Sequence, residues 1–266
     1  GTADRFALAD PHLEIERFAG DLQDLPLGKI ADVDVALAGL DSLSARQALG
    51  EAVYPLGIPY IDGAVGEPYD VRVQVLLPDS ACLECSWGNA HYRQLHTEKP
   101  CREPERSSGP RTLAPALTGA ATASLMVAQC NAVLGDEPPD ESYEIHGDLG
   151  VGRVVKSRRR RNSDCRFDHW QVVQTHRLDT PFEWATVNDL LAAVAKLGGD
   201  GAATLEFRRG IIEPGLFQED RLATVEQLHE KRSVLLAEMG LTNFDHVVLR
   251  QATDGKLQTI HITLDG

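Results

Sequence analysis

The first two thirds of the chain alternates short apolar runs with segments of helical pattern. Residues 33–40, VDVALAGL, are small and branched apolar residues typical of a buried strand, and the run ends at Asp41. Ser44 caps a predicted helix that continues to about Tyr54, where a proline and a glycine stop it. Residues 58–61 form the next predicted strand. This strand–helix–strand order predicts a parallel sheet with helices on its faces.

Two further patterns follow in the same part of the chain. Apolar and polar residues alternate from Val71 to Leu77, which predicts a half-buried strand. A segment dense in alanine and glycine runs from Leu113 to Leu134, and Gly135 is typical of a helix end. We expect this helix to be buried, because small residues let neighbouring elements approach closely. Cys130 lies on it and is interpreted as a core thiol.

The last third mixes both patterns over shorter segments. Thr224 and Gln227 form a capping box for a helix that we expect to end at Gly240. The other predicted elements are a helix from Thr186 to Leu197 and strands at 203–207, 247–251 and 257–264. The fold class is therefore α/β: a Rossmann-like, mainly parallel sheet with flanking helices over residues 1–170, and a small α/β appendage over residues 171–266.

Composition excludes several classes of protein. The 266 residues are 42% hydrophobic and 25% charged, which is ordinary for a globular protein. A net charge of −14 repels phosphate backbones, so we expect no nucleic-acid partner, and the basic run 158–161 is interpreted as a solvated loop. No apolar run approaches the roughly 20 residues that span a bilayer, and no signal-peptide pattern opens the chain. We therefore expect a cytoplasmic protein without a membrane partner.

Two short pairs of side chains have the spacing of a metal site. Cys82 and Cys85 have the C-x-x-C spacing that wraps one side of a tetrahedral zinc, and Cys165 and His169 form a looser pair. Together they would make a closed Cys3His structural zinc knuckle. The alternative is a redox pair of Cys82 and Cys85 with an ordinary histidine at 169. The position of the C-x-x-C between a predicted strand and a Trp-Gly turn favours zinc.

Three other side chains are candidates for chemistry. Asp41 follows an apolar strand, where ligands of open parallel sheets collect, and it either holds a metal ion or phosphate ligand or is a plain turn acid. Arg46, one turn further on, either pairs with phosphate or faces solvent. Cys101 lies in a polar, proline-containing loop beside Arg102. Nearby cations would activate its thiol, whereas the local residues alone favour an incidental surface thiol.

Several motifs occur together in an order that resembles one superfamily. They are DVDVALAGLDSLSARQALGEAVYPLGIPYIDG, CLEC, the loop cysteine, LTGAATASLMVAQ and RNSDCRFDH. Over roughly residues 10–170 the chain resembles the ThiF/MoeB/HesA superfamily, which has the ubiquitin-activating-enzyme fold. Its members activate the C-terminal glycine of a ubiquitin-like or sulfur-carrier protein, or another carboxylate. They use ATP and Mg²⁺, form an acyl-adenylate and release pyrophosphate.

The resemblance implies roles for individual residues. Asp41 matches the acid that positions Mg²⁺ and the adenylate phosphate, and Arg46 lies on the arginine-bearing helix that follows it. Cys101 falls in the crossover loop that in some members forms a thioester or persulfide. The resemblance also implies a homodimer or a partner subunit. The residues that match its zinc ligands are Cys82, Cys85 and Cys165, with His169 where a fourth cysteine is more usual.

The chain also departs from the superfamily pattern. It lacks the glycine-rich nucleotide turn, the ribose-binding Asp, the Asn-x-x-Arg motif and the Lys, and Ser42 replaces the usual Asn. We expect that these elements precede the given sequence, or that the chain alone does not bind ATP. The leading hypothesis is adenylation of the C-terminal carboxylate of a ubiquitin-like or sulfur-carrier protein. The alternative is a non-catalytic, zinc-stabilised scaffold that binds a carrier protein or an active partner subunit.

Overall fold

Two five-stranded sheets form the framework of the computed structural model, which describes residues 2–66, 69–97, 116–167, 169–171, 174–212, 219–253 and 256–263. The first sheet has the order β1-β2-β3-β4-β5, with strands β1 (Ala36–Ala38), β2 (Tyr60–Val65), β3 (Asp70–Leu76), β4 (Tyr143–Asp148) and β5 (Arg153–Arg158). The helices in this part of the chain are α1 (Thr2–Ala9), α2 (Leu43–Val53), α3 (Asn89–Thr97) and α4 (Ala116–Leu134). The predicted α/β class with flanking helices is confirmed.

Strand direction in the first sheet corrects the expectation of a mainly parallel sheet. Among its described strands, β1 and β2 pair in parallel, whereas β2–β3, β3–β4 and β4–β5 are antiparallel. The reason is the length of the connections. Helix α2 supplies the crossover that a parallel pair needs, but a few residues join β2 to β3 and β4 to β5, which permits an antiparallel pair.

The cap of helix α2 lies two residues earlier than predicted. The backbone of Ser42 is extended, and its Oγ accepts a hydrogen bond from the backbone N–H of Ala45 at 3.2 Å. Ser44 is already inside the helix, so Ser42 is the cap and the prediction of Ser44 is wrong. The N-cap therefore follows Asp41 directly, which places that carboxylate at the junction between β1 and α2.

Helix α4 packs closely on the first sheet at one point. A Cβ atom at Gly63 would lie 2.2 Å from Sδ of Met126 and 3.0 Å from Thr122, so this approach requires glycine. Cys130 is part-buried and packs against the apolar cluster around Ile61 and Val73, as expected of a core thiol.

Most of helix α4 is exposed, and the prediction of a buried helix is wrong. Its buried residues are Thr118, Thr122 and Met126, whereas Leu117 and Val127 are more than half exposed. With 19 residues and a mean hydropathy of 1.3, the helix is long and apolar enough to cross a membrane. The expectation that no apolar run approaches that length is corrected, on length and composition alone.

The second sheet has the order β6-β10-β9-β7-β8, in which β6 and β10 are parallel and the other pairs are antiparallel. Its strands are β6 (Gln174–Arg177), β7 (Thr204–Ile212), β8 (Glu219–Thr224), β9 (His246–Thr253) and β10 (Lys256–Thr263), accompanied by α5 (Val187–Lys196) and α6 (Val225–His229). The side chains of Leu190, Leu205, Phe207 and Leu249 are fully buried in its core. The predicted α/β pattern of this segment is confirmed.

The two helices that accompany the second sheet begin where the sequence predicts, but α6 is shorter than expected. The backbone N–H of Thr224 donates to Oε1 of Gln227, which completes the predicted capping box of α6. The helix ends at His229 instead of Gly240. The chain beyond it pairs with the segment before α5, since the N–H of Leu236 donates to the carbonyl of Ala185. These backbone bonds replace the ones that a longer helix would make.

A segment that precedes the first sheet contacts the second sheet. The N–H of Gly28 donates to the carbonyl of Phe244 at 2.8 Å, and a Cβ atom at Gly28 would lie 2.6 Å from that oxygen. The guanidinium of Arg208 on β7 donates to the carbonyls of Leu25 and Leu22. The two sheets lie on either side of residue 170, and the domain boundary at that residue stays a prediction.

Candidate functional site

The four residues of the predicted metal site lie together. Cys82 precedes a 3-10 turn, Leu83–Ser86, that carries Cys85, and their Sγ atoms are 3.7 Å apart. The Sγ atom of Cys165 lies 3.7 Å from that of Cys82, and Nε2 of His169 lies 3.1 Å from Sγ of Cys85. All four ligand atoms lie within 4.8 Å of one another. Two segments that are far apart in sequence thus meet in one Cys3His cluster.

The distances in the cluster fit a tetrahedral zinc ion. Zinc–sulfur bonds of about 2.3 Å and zinc–nitrogen bonds of about 2.0–2.1 Å give sulfur–sulfur edges of about 3.8 Å and sulfur–nitrogen edges of about 3.6 Å. The two sulfur–sulfur distances from Cys82 match, and the His169 ring needs a shift of about 0.5 Å to match as well. Four protein donors fill a tetrahedron, so the cluster fits a closed, structural site and not a catalytic one.

The cluster also favours the thiolate form of one cysteine. The pKa of Cys85 is lowered to about 4, chiefly because the Cys82 thiol donates a hydrogen bond to its sulfur. The backbone N–H of Asn162 and the ring of His169 lower the pKa further. The same hydrogen bond, together with burial, raises the pKa of Cys82. Since the thiolate is the form that binds metal, the fold prepares Cys85 as a ligand.

Aromatic side chains that the sequence analysis did not single out surround the histidine. The rings of Tyr54 and Phe167 both lie 5.6 Å from the ring of His169, and their centroids are 5.4 Å apart. The hydroxyl of Tyr54 donates to the carbonyl of Ser80. His169 has a φ of 54°, in the left-handed region that non-glycine residues seldom adopt. These contacts fix the ring against the sulfurs despite its strained backbone.

Arg159 holds the turn that carries Cys85, which corrects the interpretation of residues 158–161 as a solvated loop. Its side chain is only 8% exposed, and it pairs with Glu144 at 3.2 Å. The guanidinium also donates to the carbonyl of Leu83 and to Oγ of Ser86. Burial lowers the pKa of Arg159, while the charge of Glu144 opposes that shift. Residues 158–161 are all arginine, so the sequence does not indicate which of them is buried and holds the turn.

The second predicted site lies at the carboxyl end of β1. Asp41 follows this strand and is exposed, and among the described residues no hydrogen bond or ion pair engages its carboxylate. Arg46, which the sequence predicts to bind a cofactor, is engaged by other residues of the protein. Its guanidinium contacts the carboxylate of Asp62 and the carbonyls of Leu40 and Gly63. It thereby joins the loop after β1 to the middle of β2, where the parallel pairing of the two strands ends beside Asp41.

Asp62, the partner of Arg46, is a buried acid that the sequence analysis overlooked. Its side chain is 2% exposed, and the hydroxyl of Tyr60 donates to it. Burial raises the pKa of Asp62, and the charge of Arg46 opposes the rise. Removal of either Arg46 or Asp62 would therefore leave the other group buried and without its partner. Cys101, the predicted nucleophile, lies outside the described residues.

Comparison with known proteins gives a limited result. No protein-family model matches the chain, and no curated protein matches it in sequence. Among solved structures, E. coli MccB with ATP is 14% identical over 62% of this chain and 48% of that chain, with a TM-score of 0.46. The microcin C7 biosynthetic enzyme MccB with N-formylated MccA is 13% identical over 62% and 49%, with a TM-score of 0.45. PaaA is 14% identical over 59% and 53%, with a TM-score of 0.39.

The chain spans about half the length of each of these solved structures. At this identity and coverage the comparisons assign no residue of the chain a role.

Proposed function

We propose that the chain belongs to an adenylate-forming activating enzyme of the ThiF/MoeB/HesA type, which activates the C-terminal carboxylate of a ubiquitin-like or sulfur-carrier protein. One observation carries this proposal. The two ends of one motif of the resemblance meet. Arg46, which follows Asp41, contacts Asp62 and Gly63 in the segment that ends in IDG. This contact lies at the carboxyl ends of the parallel pair, where ligands of α/β sheets bind.

In this proposal Asp41 holds Mg²⁺ at the sheet edge. Its carboxylate is exposed and unengaged among the described residues, and carboxylate oxygen is a ligand that Mg²⁺ prefers. Mg²⁺, when bound, would neutralise charge on the phosphates during attack by a carboxylate oxygen. Arg46 is a positioning residue, since it anchors the carbonyl of Leu40 one residue before Asp41. It fixes the direction in which the loop presents that carboxylate.

The Cys3His cluster has a structural part in the same proposal. Zinc there would connect the turn after β3 to the segment that leads into the second sheet. Cys101 is proposed as the acceptor in a later step, in which its thiolate attacks the adenylated carbonyl, forms a thioester and releases AMP. An enzyme that stops at the adenylate would keep full activity in Cys101→Ala.

The test is ATP–pyrophosphate exchange by the full chain, with and without a candidate carrier protein. Asp41→Asn keeps the size of the side chain and removes its charge, so exchange should be lost while the melting temperature is unchanged. Asp136→Asn changes an exposed acid after α4 and should keep exchange. Exchange that survives in Asp41→Asn would remove this residue from the mechanism.

A second candidate is a non-catalytic, zinc-stabilised scaffold that binds a carrier protein or an active partner subunit. The engagement of Arg46 by Asp62 favours it, because that guanidinium then contributes no phosphate contact. A chain that neither binds ATP nor gains exchange activity with a partner subunit would support the scaffold. Exchange activity that depends on Asp41 would reject it.

A further inference from the structure

A cavity between the two sheets lies apart from the Asp41 edge. Its volume is about 700 Å³, within the range of about 300–1,000 Å³ that is typical of small-molecule sites. One wall is formed by α2, α3 and the segment after Cys165, and the other by β7, β8 and β9. The side chains that matter for its chemistry are Glu51, Glu84, Arg166, Glu206, Arg221 and Arg250.

Two guanidinium groups in this cavity are stacked on aromatic rings. Cζ of Arg166 lies 4.0 Å from the centroid of Tyr92, and Cζ of Arg250 lies 5.4 Å from that of Trp170. A stacked guanidinium keeps its edge donors for carboxylate or phosphate, which it can bind with two parallel hydrogen bonds. One N–H of Arg166 donates a hydrogen bond to Oδ1 of Asn89, and no carboxylate among the described residues pairs with Arg166. Arg166 is thus oriented and exposed, with no carboxylate partner in the part of the chain that the structure describes.

The other wall contributes a second cation. Arg221 on β8 lines the cavity, and within the described part of the chain it forms no ion pair closer than 4 Å. Arg166 follows the cluster residue Cys165, whereas Arg221 belongs to the second sheet. Two guanidinium groups without a close ion pair to any described residue therefore face the same space from different walls, and the charge of Arg221 acts on nearby Glu51.

The acidic residues of the cavity do not cancel these charges. Glu206 is paired with Arg250, with Nε and Oε2 2.6 Å apart. Glu84 is buried and accepts hydrogen bonds from Tyr92 at 2.8 Å and from Gln47 at 3.2 Å. Glu51 keeps a solvent-facing edge, and burial by the surrounding walls, followed by the charge of Glu84, raises its pKa. A carboxyl group that is more easily protonated opposes a bound anion less.

We propose that this cavity binds a small organic anion with two or more carboxylate or phosphate groups, contacted directly by Arg166 and Arg221. Four arginines line the cavity against three glutamates. Binding here does not depend on the proposed adenylation. It depends on the Cys3His cluster only in that Cys165 fixes the backbone before Arg166.

Calorimetric titration of the full, zinc-loaded chain tests the proposal at low ionic strength. The probes are glutarate for the carboxylate source and fructose 1,6-bisphosphate for the phosphate source, each with its neutral match, glutaramide and fructose. At least one anion should bind with a Kd below about 1 mM, and the neutral compounds should not. The anion that binds more tightly identifies the source. The proposal is overturned if neither anion binds.

Two variants and a control separate this site from general charge effects. Arg166→Gln and Arg221→Gln should each weaken binding about ten-fold or more, because each removes a charge-assisted contact. Arg158→Gln changes an exposed arginine that pairs with Glu141 on the first sheet, and its binding should be unchanged. Zinc content is measured in each variant. If Arg166→Gln loses zinc, Arg221→Gln still tests the site, because Arg221 lies on β8 and not beside the cluster. Unchanged binding in both variants would overturn the proposal.

Asp41→Asn separates the two proposals of function. It should abolish exchange and leave anion binding intact, because the cavity contains no contact to Asp41. Loss of anion binding in Asp41→Asn would place the anion at the sheet edge and contradict the cavity site.

Discussion

The Sγ atom of Cys82 lies 3.7 Å from the Sγ atom of Cys165, although 83 positions separate the two residues. This distance matches the edge of a zinc–thiolate tetrahedron, about 3.8 Å. The contact joins the turn after β3 to the segment that enters the second sheet. A metal ion at this point would restrain a long loop, and it would also fix the wall of the cavity that carries Arg166.

Removal of one sulfur ligand should release the metal. We predict that the purified chain contains about one zinc ion and that Cys165→Ala loses it, with a lower melting temperature, because a three-ligand site retains zinc poorly. Cys130→Ala removes a part-buried thiol outside the cluster and should keep the zinc. Elemental analysis and thermal melts measure both. Full zinc content in Cys165→Ala would show that this residue is not a ligand.

His169 is predicted to be the fourth ligand. His169→Ala should release zinc to a chelator much faster than the unchanged chain, since one donor is lost while the three sulfurs remain. The rate is measured with a colorimetric zinc indicator. A histidine outside the cluster, His146, pairs with Asp70 on the first sheet, and His146→Ala is the control that should not change the rate. Equal release rates for His169→Ala and the unchanged chain would assign the fourth position to another group.

Arg159 should contribute to both stability and metal retention. Arg159→Gln leaves Glu144 without its partner and the Leu83–Ser86 turn without two hydrogen bonds, so we expect a loss of about 3 kcal/mol in the free energy of unfolding. Arg158→Gln on the same strand removes an exposed pair and should cost less than about 1 kcal/mol. Urea unfolding measures the difference. Equal effects of the two changes would contradict the buried role of Arg159.

The pair of Arg46 and Asp62 predicts a pH-dependent loss of stability. Burial raises the pKa of Asp62 above its ordinary value of 3.8, so the folded state binds the proton more tightly than the unfolded state. Ionisation therefore lowers stability as pH rises above that value, and Arg46 limits the loss. Arg46→Met should cost about 3–5 kcal/mol at pH 7 and distinctly less near pH 4. A deficit that does not change with pH would show that Asp62 is not the cause.

Much of the candidate site could be predicted from the sequence, because the patterns that indicate it involve residues close together along the chain. The C-x-x-C spacing and the Cys165/His169 pair fall directly on the cluster that the structure forms. The capping box of Thr224 and Gln227 is likewise a short-range pattern, and the N–H of Thr224 donates to Gln227. Such features depend on a few neighbouring residues and are visible without knowing the rest of the fold.

What the sequence did not predict depends on contacts between distant residues. Nothing near Arg159 in sequence distinguishes it from Arg158, yet one is buried against Glu144 and the other is exposed. The apolar composition of α4 predicts burial, but the described structure covers it with few side chains. The engagement of Arg46 by Asp62 is also invisible, because 16 residues separate the two.

The proposed metal centre would connect the two halves of the fold and one wall of the anion cavity. Zinc K-edge X-ray absorption of the purified full chain is the direct test. The account predicts about one zinc ion per chain, with three sulfur neighbours at about 2.3 Å and one nitrogen neighbour at about 2.0–2.1 Å. Protein without bound zinc, or zinc whose neighbours are mainly oxygen, would contradict it.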